Sequence, residues 1–229
     1  MPIPFYFYWT PNYKLFADVL KKQLTNYPGI FEDRGIYMSQ EDFDATMYKS
    51  PGHFLNGCFL KLEKTYELLQ TLPEDSYFIL SDADIILFPG KPMGELFELY
   101  MKMGADLVFM KDIPSTKTYN CGFIFLKVNQ VNRDFYKQVM EECKRTPTEL
   151  EQSIVNNLLK NYTGSLFYFP HEIVATTCTF IESDQRPSNN LLMRSKCFIY
   201  QALCDADKSS QEVVQQKLTQ YKILGALDY

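Results

Sequence analysis

Short apolar runs alternate along this chain with longer stretches in which apolar residues recur every three or four positions. Phe5 to Trp9 is an aromatic run of strand type. Thr10-Pro11 reads as N-cap and N1 of a helix bearing Leu15, Phe16, Val19 and Leu20, which Tyr27-Pro28-Gly29 breaks. Arg34 to Pro51 is irregular, predicting a short strand and a loop. From His53, the positions Phe54, Leu55, Cys58, Phe59, Leu62, Tyr66 and Leu69 keep helical spacing until Pro73. Tyr77-Phe78-Ile79-Leu80 is apolar throughout, the pattern of a central strand buried on both faces.

Ser81-Asp82-Ala83-Asp84 follows that strand directly, then Ile85 to Phe88, and Pro89-Gly90 ends the segment. Pro92 to Met103 predicts a helix, and Asp106 to Met110 and Cys121 to Val128 predict strands. Helices are predicted over Asn132 to Cys143 and Thr148 to Leu159, parted by Pro147. Leu166 to Phe169, Ile173 to Phe180 and Phe198 to Leu203 read as extended, with a loop from Asp184 to Asn190. Ser209 and Glu212 have capping-box spacing before a last helix with Val213, Val214, Leu218 and Tyr221 on one face. Strands alternating with helices predict an α/β layered fold, with a mixed, mostly parallel central sheet flanked by helices. No linker or repeat interrupts it, so residues 1–229 read as a single domain.

Composition narrows the class. A hydrophobic share of 46% with 22% charged residues excludes wholesale disorder. The net charge of −5 argues against nucleic acid as a partner, because phosphate neutralisation needs clustered Lys and Arg. No apolar run approaches the ~18 residues of a membrane span. Met1-Pro2-Ile3-Pro4 lacks a basic n-region, so the expectation is a cytoplasmic protein without a cleaved signal. The cysteines at 58, 121, 143, 178, 197 and 204 form no CxxC pair; they read as reduced, buried thiols rather than zinc ligands or bridges. In that setting the sequon Asn161-Tyr162-Thr163 is idle.

The informative feature is the pair Asp82 and Asp84 at the carboxyl end of an apolar strand. Open α/β sheets bind ligands outside the carboxyl ends of their strands. Two carboxylates there repel each other until a cation or a proton intervenes. Hard divalent ions, Mn²⁺ or Mg²⁺, take oxygen ligands and leave room for substrate phosphates. Such an ion offsets charge on a departing diphosphate. Read as local structure, the same two residues simply open a turn.

At this point the chain resembles the nucleotide-sugar glycosyltransferases with the GT-A (Rossmann-like) fold. Tyr77 to Ile86 resembles their strand and D-x-D motif, and Phe5 to Tyr13 their first strand and Thr-Pro turn. Asp106 to Asp112 with Tyr119-Asn120-Cys121-Gly122-Phe123 is similar to their strand, acidic residue and N-x-G-F segment. Glu149-Leu150-Glu151-Gln152-Ser153 stands where many members carry an acidic residue and Gln. The resemblance spans about residues 3 to 225 and rests on the order of these motifs.

The resemblance implies an enzyme that moves a sugar from a nucleoside-diphosphate sugar, most commonly a UDP-hexose, to a hydroxyl of a glycan or other acceptor. It implies Asp84 as principal metal ligand, with Asp82 touching both metal and donor, and Ala83 between them in the donor site. Thr10, Pro11 and Tyr13 would line the base and ribose pocket, and Lys61 would approach the donor or Asp82. Asp112, Asn120 and Gly122 would lie near the transferred sugar, and Glu151 and Gln152 would face the sugar or acceptor. An inverting reaction would need a carboxylate base, Asp112 or Glu151; a retaining one would not. Structural roles compete for each residue: solvated helix surface for Lys61, a turn cap for Asn120, close backbone approach for Gly122, core for Tyr13, and a capping box with Thr148 for Glu151.

One departure stands out. Many GT-A enzymes add a late histidine to the metal shell, and this chain has Gln201 there, in Phe198-Ile199-Tyr200-Gln201-Ala202. Asp205, Asp207 and His171 are the alternative ligands, and Lys208 is a candidate diphosphate contact. Two other readings of the motif are a phosphohydrolase of the haloacid dehalogenase type and a nucleotide-sugar-binding module without transfer. The first usually carries its D-x-D on the first strand, whereas this pair begins at residue 82.

Overall fold

The computed structural model describes residues 1–39, 53–111, 118–177, 196–202 and 210–227. Strand β1 (Ile3–Trp9) leads through a single 3-10 turn into α1 (Lys14–Leu24), followed by β2 (Phe31–Asp33) and β3 (Ile36–Tyr37). Helix α2 (His53–Thr71) precedes β4 (Tyr77–Asp82), β5 (Ile85–Leu87) and α3 (Met93–Lys102). Then come β6 (Leu107–Lys111), β7 (Tyr119–Lys127), α4 (Gln130–Arg145) and α5 (Glu151–Leu158). The chain continues through β8 (Leu166–Tyr168), β9 (Val174–Thr176), β10 (Ile199–Gln201) and α6 (Ser210–Ile223).

The central sheet has the order β2-β1-β4-β7-β6-β8, with β3 also paired to β1. Every pairing is parallel except those of β7, which runs against both β4 and β6. The apolar run at Tyr77 to Leu80 is central as its pattern predicts, flanked by β1 and β7. Side chains alternate across it. Phe5, Phe7, Ile79, Phe123 and Phe125 pack on one face with α1 and α3. Tyr8, Phe78, Leu80 and Ile124 pack on the other with Phe59, Tyr136 and Val155 of α2, α4 and α5. A small second sheet, β5-β10-β9, joins Phe16 of α1 and Tyr221 of α6 in a third cluster.

Several local expectations shift. Thr10 has extended backbone but makes no side-chain cap, and Leu15 is 48% exposed because the 3-10 turn rotates the buried face onto Phe16, Ala17, Val19 and Leu20. The helix expected from Asn132 starts at Gln130, where the Asn129 side chain accepts the Asn132 N–H at 2.9 Å. The Thr148–Glu151 capping box does not form, because α5 begins at Glu151 itself. The run expected to pass from Ile85 to Phe88 leaves the central sheet, so the bend at Ala83 separates the two sheets. Asp112, Cys178, Asp184 to Asn190, Cys204, Asp205, Asp207, Lys208 and Ser209 lie outside the described residues. The other four cysteines are free thiols.

Candidate active site

Strands β1 and β4 run side by side in parallel, and Tyr8 is the register partner of Asp82. The carboxyl end of β1, with Trp9 and the Thr10-Pro11 turn, therefore lies beside the acidic motif. Asp84 sits just past the end of β4, and β10 pairs with β5 so that Gln201 faces Ile85. The Ala202 N–H donates to the Asp84 carbonyl at 3.2 Å. A residue 119 positions away is thereby fixed against the motif, with the Gln201 Nε2 donating to Asp82 Oδ2 at 2.9 Å.

Lys61 is not solvated helix surface. It is 9% exposed, and its ammonium donates to Asp82 Oδ1 at 2.9 Å and to the Cys121 carbonyl at 3.2 Å. Glu151 Oε1 stands 3.6 Å away on the other side. Burial disfavours the ammonium, but Asp82 and Glu151 outweigh it and hold the Lys61 pKa well above the ordinary lysine value. Burial also pushes the neighbouring Cys58 and Cys121 thiols up, so neither is a nucleophile.

Glu151 is 6% exposed, and one of its oxygens accepts the Gln152 N–H at 2.9 Å. This geometry gives it a structural partner in Lys61 rather than an open face toward an acceptor. Gln152 accepts the Cys121 N–H at 3.1 Å. Asn156, one turn further on, accepts the Tyr119 N–H at 2.7 Å and donates to the Tyr119 carbonyl at 2.8 Å. Helix α5 thus clamps the start of β7 as a neighbouring strand would, a role the sequence reading did not assign.

Asn120 is buried and accepts the Gly122 N–H at 2.6 Å. Gly122 is glycine for a steric reason: a Cβ there would land on the Gln201 carboxamide. The close approach expected at this position is made by Gln201. Ala83 is 2% exposed and turns its methyl into the core, leaving only its backbone to a donor.

Asp84 is 2% exposed. Its Oδ2 accepts from the Lys217 ammonium of α6, itself 6% exposed, and Lys217 also stands 5.2 Å from the centre of the Tyr13 ring. Burial pushes the Asp84 carboxyl pKa up against the pull of Lys217. Tyr13 packs on Phe16 at 5.5 Å, so it is both core edge and pocket wall. Lys217 is absent from the sequence reading, although its signal is visible: Val213, Lys217 and Tyr221 are spaced by four, which sets a lysine in an apolar stripe. Trp9 is also new; its indole N–H is buried without a partner beside the turn expected to hold the base.

Two oxygens at the motif are buried with nothing donating to them, Asp84 Oδ1 and Gln201 Oε1. Orphan acceptors of this kind are costly, and together with Asp82 they make a hard, all-oxygen donor set. The residues therefore fit Mn²⁺ or Mg²⁺, with the Gln201 carbonyl standing where the resemblance leads one to expect a histidine. His171 does not join them, since its Nε2 pairs with Glu172 at 3.0 Å. Among the described residues no three His, Cys, Asp or Glu cluster as a metal site.

The profile of the nucleotide-diphospho-sugar transferases matches residues 34–213. With well over half its length matched, the chain belongs to that family, and it is a glycosyltransferase. The match includes Asp82 and Asp84, which removes the phosphohydrolase reading. No curated protein matches the chain by sequence.

Among solved structures, it is similar to a glycosyltransferase involved in glycosylation of the major capsid of PBCV-1. The TM-score is 0.66 at 11% identity, covering 96% of this chain and all of the other. The galactosyltransferase LgtC, solved with donor and acceptor sugar analogs, aligns with a TM-score of 0.58 at 12% identity, over 95% of this chain and 96% of its own. Mouse xyloside xylosyltransferase 1 aligns at 0.54 and 12% identity, over 91% of this chain and all of its own. These likenesses establish the GT-A fold. Among the described residues no helix is long and apolar enough to cross a membrane.

Proposed function

We propose that residues 1–229 act as one metal-dependent transferase domain that moves a hexose or pentose from a nucleoside-diphosphate sugar, UDP-linked in the first instance, to a hydroxyl of a glycan or other acceptor. The observation that carries this reading is the pair of orphaned, buried oxygens on Asp84 and Gln201 beside Asp82, at the carboxyl ends of two parallel strands. Asp82, Asp84 and Gln201 would hold Mn²⁺ or Mg²⁺, which when bound offsets negative charge on the departing diphosphate.

The chain's own residues do the rest. Trp9, Thr10, Pro11 and Tyr13 receive the base and ribose, and the unpartnered Trp9 N–H is available to a base or ribose oxygen. Asn120 and the Gly122 backbone border the transferred sugar, and Gln152 acts by holding the strand that carries them. Lys61 fixes the Asp82 carboxylate, and Glu151 fixes Lys61. Preorganised charge of this kind stabilises the transition state because nothing must reorganise when the C1–O bond breaks. Asp112 is the other carboxylate that the resemblance offers to an acceptor hydroxyl. Neighbours named for galactose and xylose transfer make those sugars the first donors to try.

The test is release of free nucleoside diphosphate from a panel of nucleotide sugars with Mn²⁺. One donor is expected to turn over with the wild type, and Asp84→Ala is expected to lower that rate by about a hundredfold or more, the scale of losing one transition-state charge contact. No turnover of any donor, with or without acceptor sugars, contradicts the transferase assignment and leaves the binding-module reading.

A further inference from the structure

We propose that Lys217 is a built-in counter-cation for Asp84: it keeps the motif folded when no divalent ion is present, and it competes with that ion for the carboxylate. The proposal rests on the metal reading above and concerns a residue outside the motif. Lys217 comes from the last helix, 133 positions from Asp84, yet both side chains are almost wholly buried and bonded to each other. Burying an ammonium is costly unless it meets a charge, so this lysine is held in the apolar stripe of α6 by Asp84. Tyr13 gives the ammonium a second favourable surface through its ring face.

The charges around the motif balance closely without any metal. Among the described residues Asp82, Asp84 and Glu151 face Lys61 and Lys217, leaving one net negative charge. A divalent ion arriving at Asp84 Oδ1 meets a carboxylate whose other oxygen is already neutralised. Its attraction to the site is therefore weakened by the Lys217 charge a few ångströms away. Lys217 thus acts as a placeholder that stabilises the empty site and lowers its affinity for the free ion.

Mn²⁺ titration of the purified chain, read by the EPR signal of free Mn²⁺ without nucleotide or donor, tests this. Lys217→Met is expected to bind Mn²⁺ about tenfold more tightly than wild type or better, the scale of removing one nearby like charge. Its melting temperature in EDTA is expected to fall and to recover on adding Mn²⁺. The Asp84→Asn/Lys217→Met double variant is expected to melt above either single variant in EDTA, because the pair is removed together. Equal or weaker Mn²⁺ binding by Lys217→Met overturns the placeholder and leaves the metal reading intact. No Mn²⁺ binding by either chain overturns both. If Lys217→Met does not fold, the ¹⁵Nζ resonance of Lys217 in the wild type, assigned with Lys217→Arg, replaces it. A shift that saturates with added Mg²⁺ supports the proposal, and an unmoved resonance refutes it.

Discussion

Replacing Lys61 with methionine is expected to lower the melting temperature by roughly 6 to 20 °C. Lys61 lies between Asp82 at 2.9 Å and Glu151 at 3.6 Å, and its side chain is almost fully buried. Methionine fills the same volume but leaves Glu151 as an uncompensated buried charge beside a second carboxylate. Breaking a buried pair in this way costs about 3–5 kcal/mol, and in a chain of this size each kcal/mol is worth about 2–4 °C. Adding Glu151→Gln to Lys61→Met should recover part of the loss, because the buried charge goes with its partner. Differential scanning calorimetry of the three variants checks this, and a Lys61→Met transition within a degree or two of wild type would show that the cluster is not a charge network.

Gly122→Ala should damage the site from the opposite side. The new methyl lands on the Gln201 carboxamide, and β7 is fixed between β4 and β6, so the glutamine must give way. Overpacking of this kind costs about 1–3 kcal/mol. The larger effect is on Asp82, which loses the 2.9 Å bond from Gln201, and on the proposed cation, which loses the Gln201 oxygen. Misplacement by about an ångström lowers rates by about a hundredfold. Transfer rates and melting curves for Gly122→Ala and for Gly122→Ala/Gln201→Ala separate the two effects. The double variant should regain stability without regaining rate.

The parts of the site that lie close in sequence were legible. Tyr77 to Leu80 is apolar at every position, so its central place in the sheet could be read directly, and the acids that follow fall at its carboxyl end. Lys61 could be named from resemblance, but its burial could not, because Lys64 and Thr65 one turn further along the helix give it no apolar stripe. Gln201 and Lys217 reach the motif across 119 and 133 positions, through the antiparallel pairing of β10 with β5 and the docking of α6. The stripe of Val213 and Tyr221 marks Lys217 as a buried lysine, but no local pattern names the partner that either residue reaches. The clamp of Asn156 on β7 was hidden for a related reason: a side chain that imitates a strand leaves no periodic signal. Thr10 and Pro11 do stand at the N-cap and N1 positions expected, but the helices expected from Asn132 and Thr148 begin at Gln130 and Glu151, because the turn that precedes each one fixes its first residue.

The central claim is that Asp82, Asp84 and Gln201 grip a divalent ion under a nucleoside diphosphate. Thermal melting of the wild type and Asp84→Ala with UDP or GDP, each with and without Mn²⁺, tests it most directly. The account predicts a rise in melting temperature for the wild type that is larger with Mn²⁺ present, and loss of the metal-dependent part in Asp84→Ala. Identical melting curves with and without every nucleoside diphosphate, at saturating Mn²⁺, would contradict it.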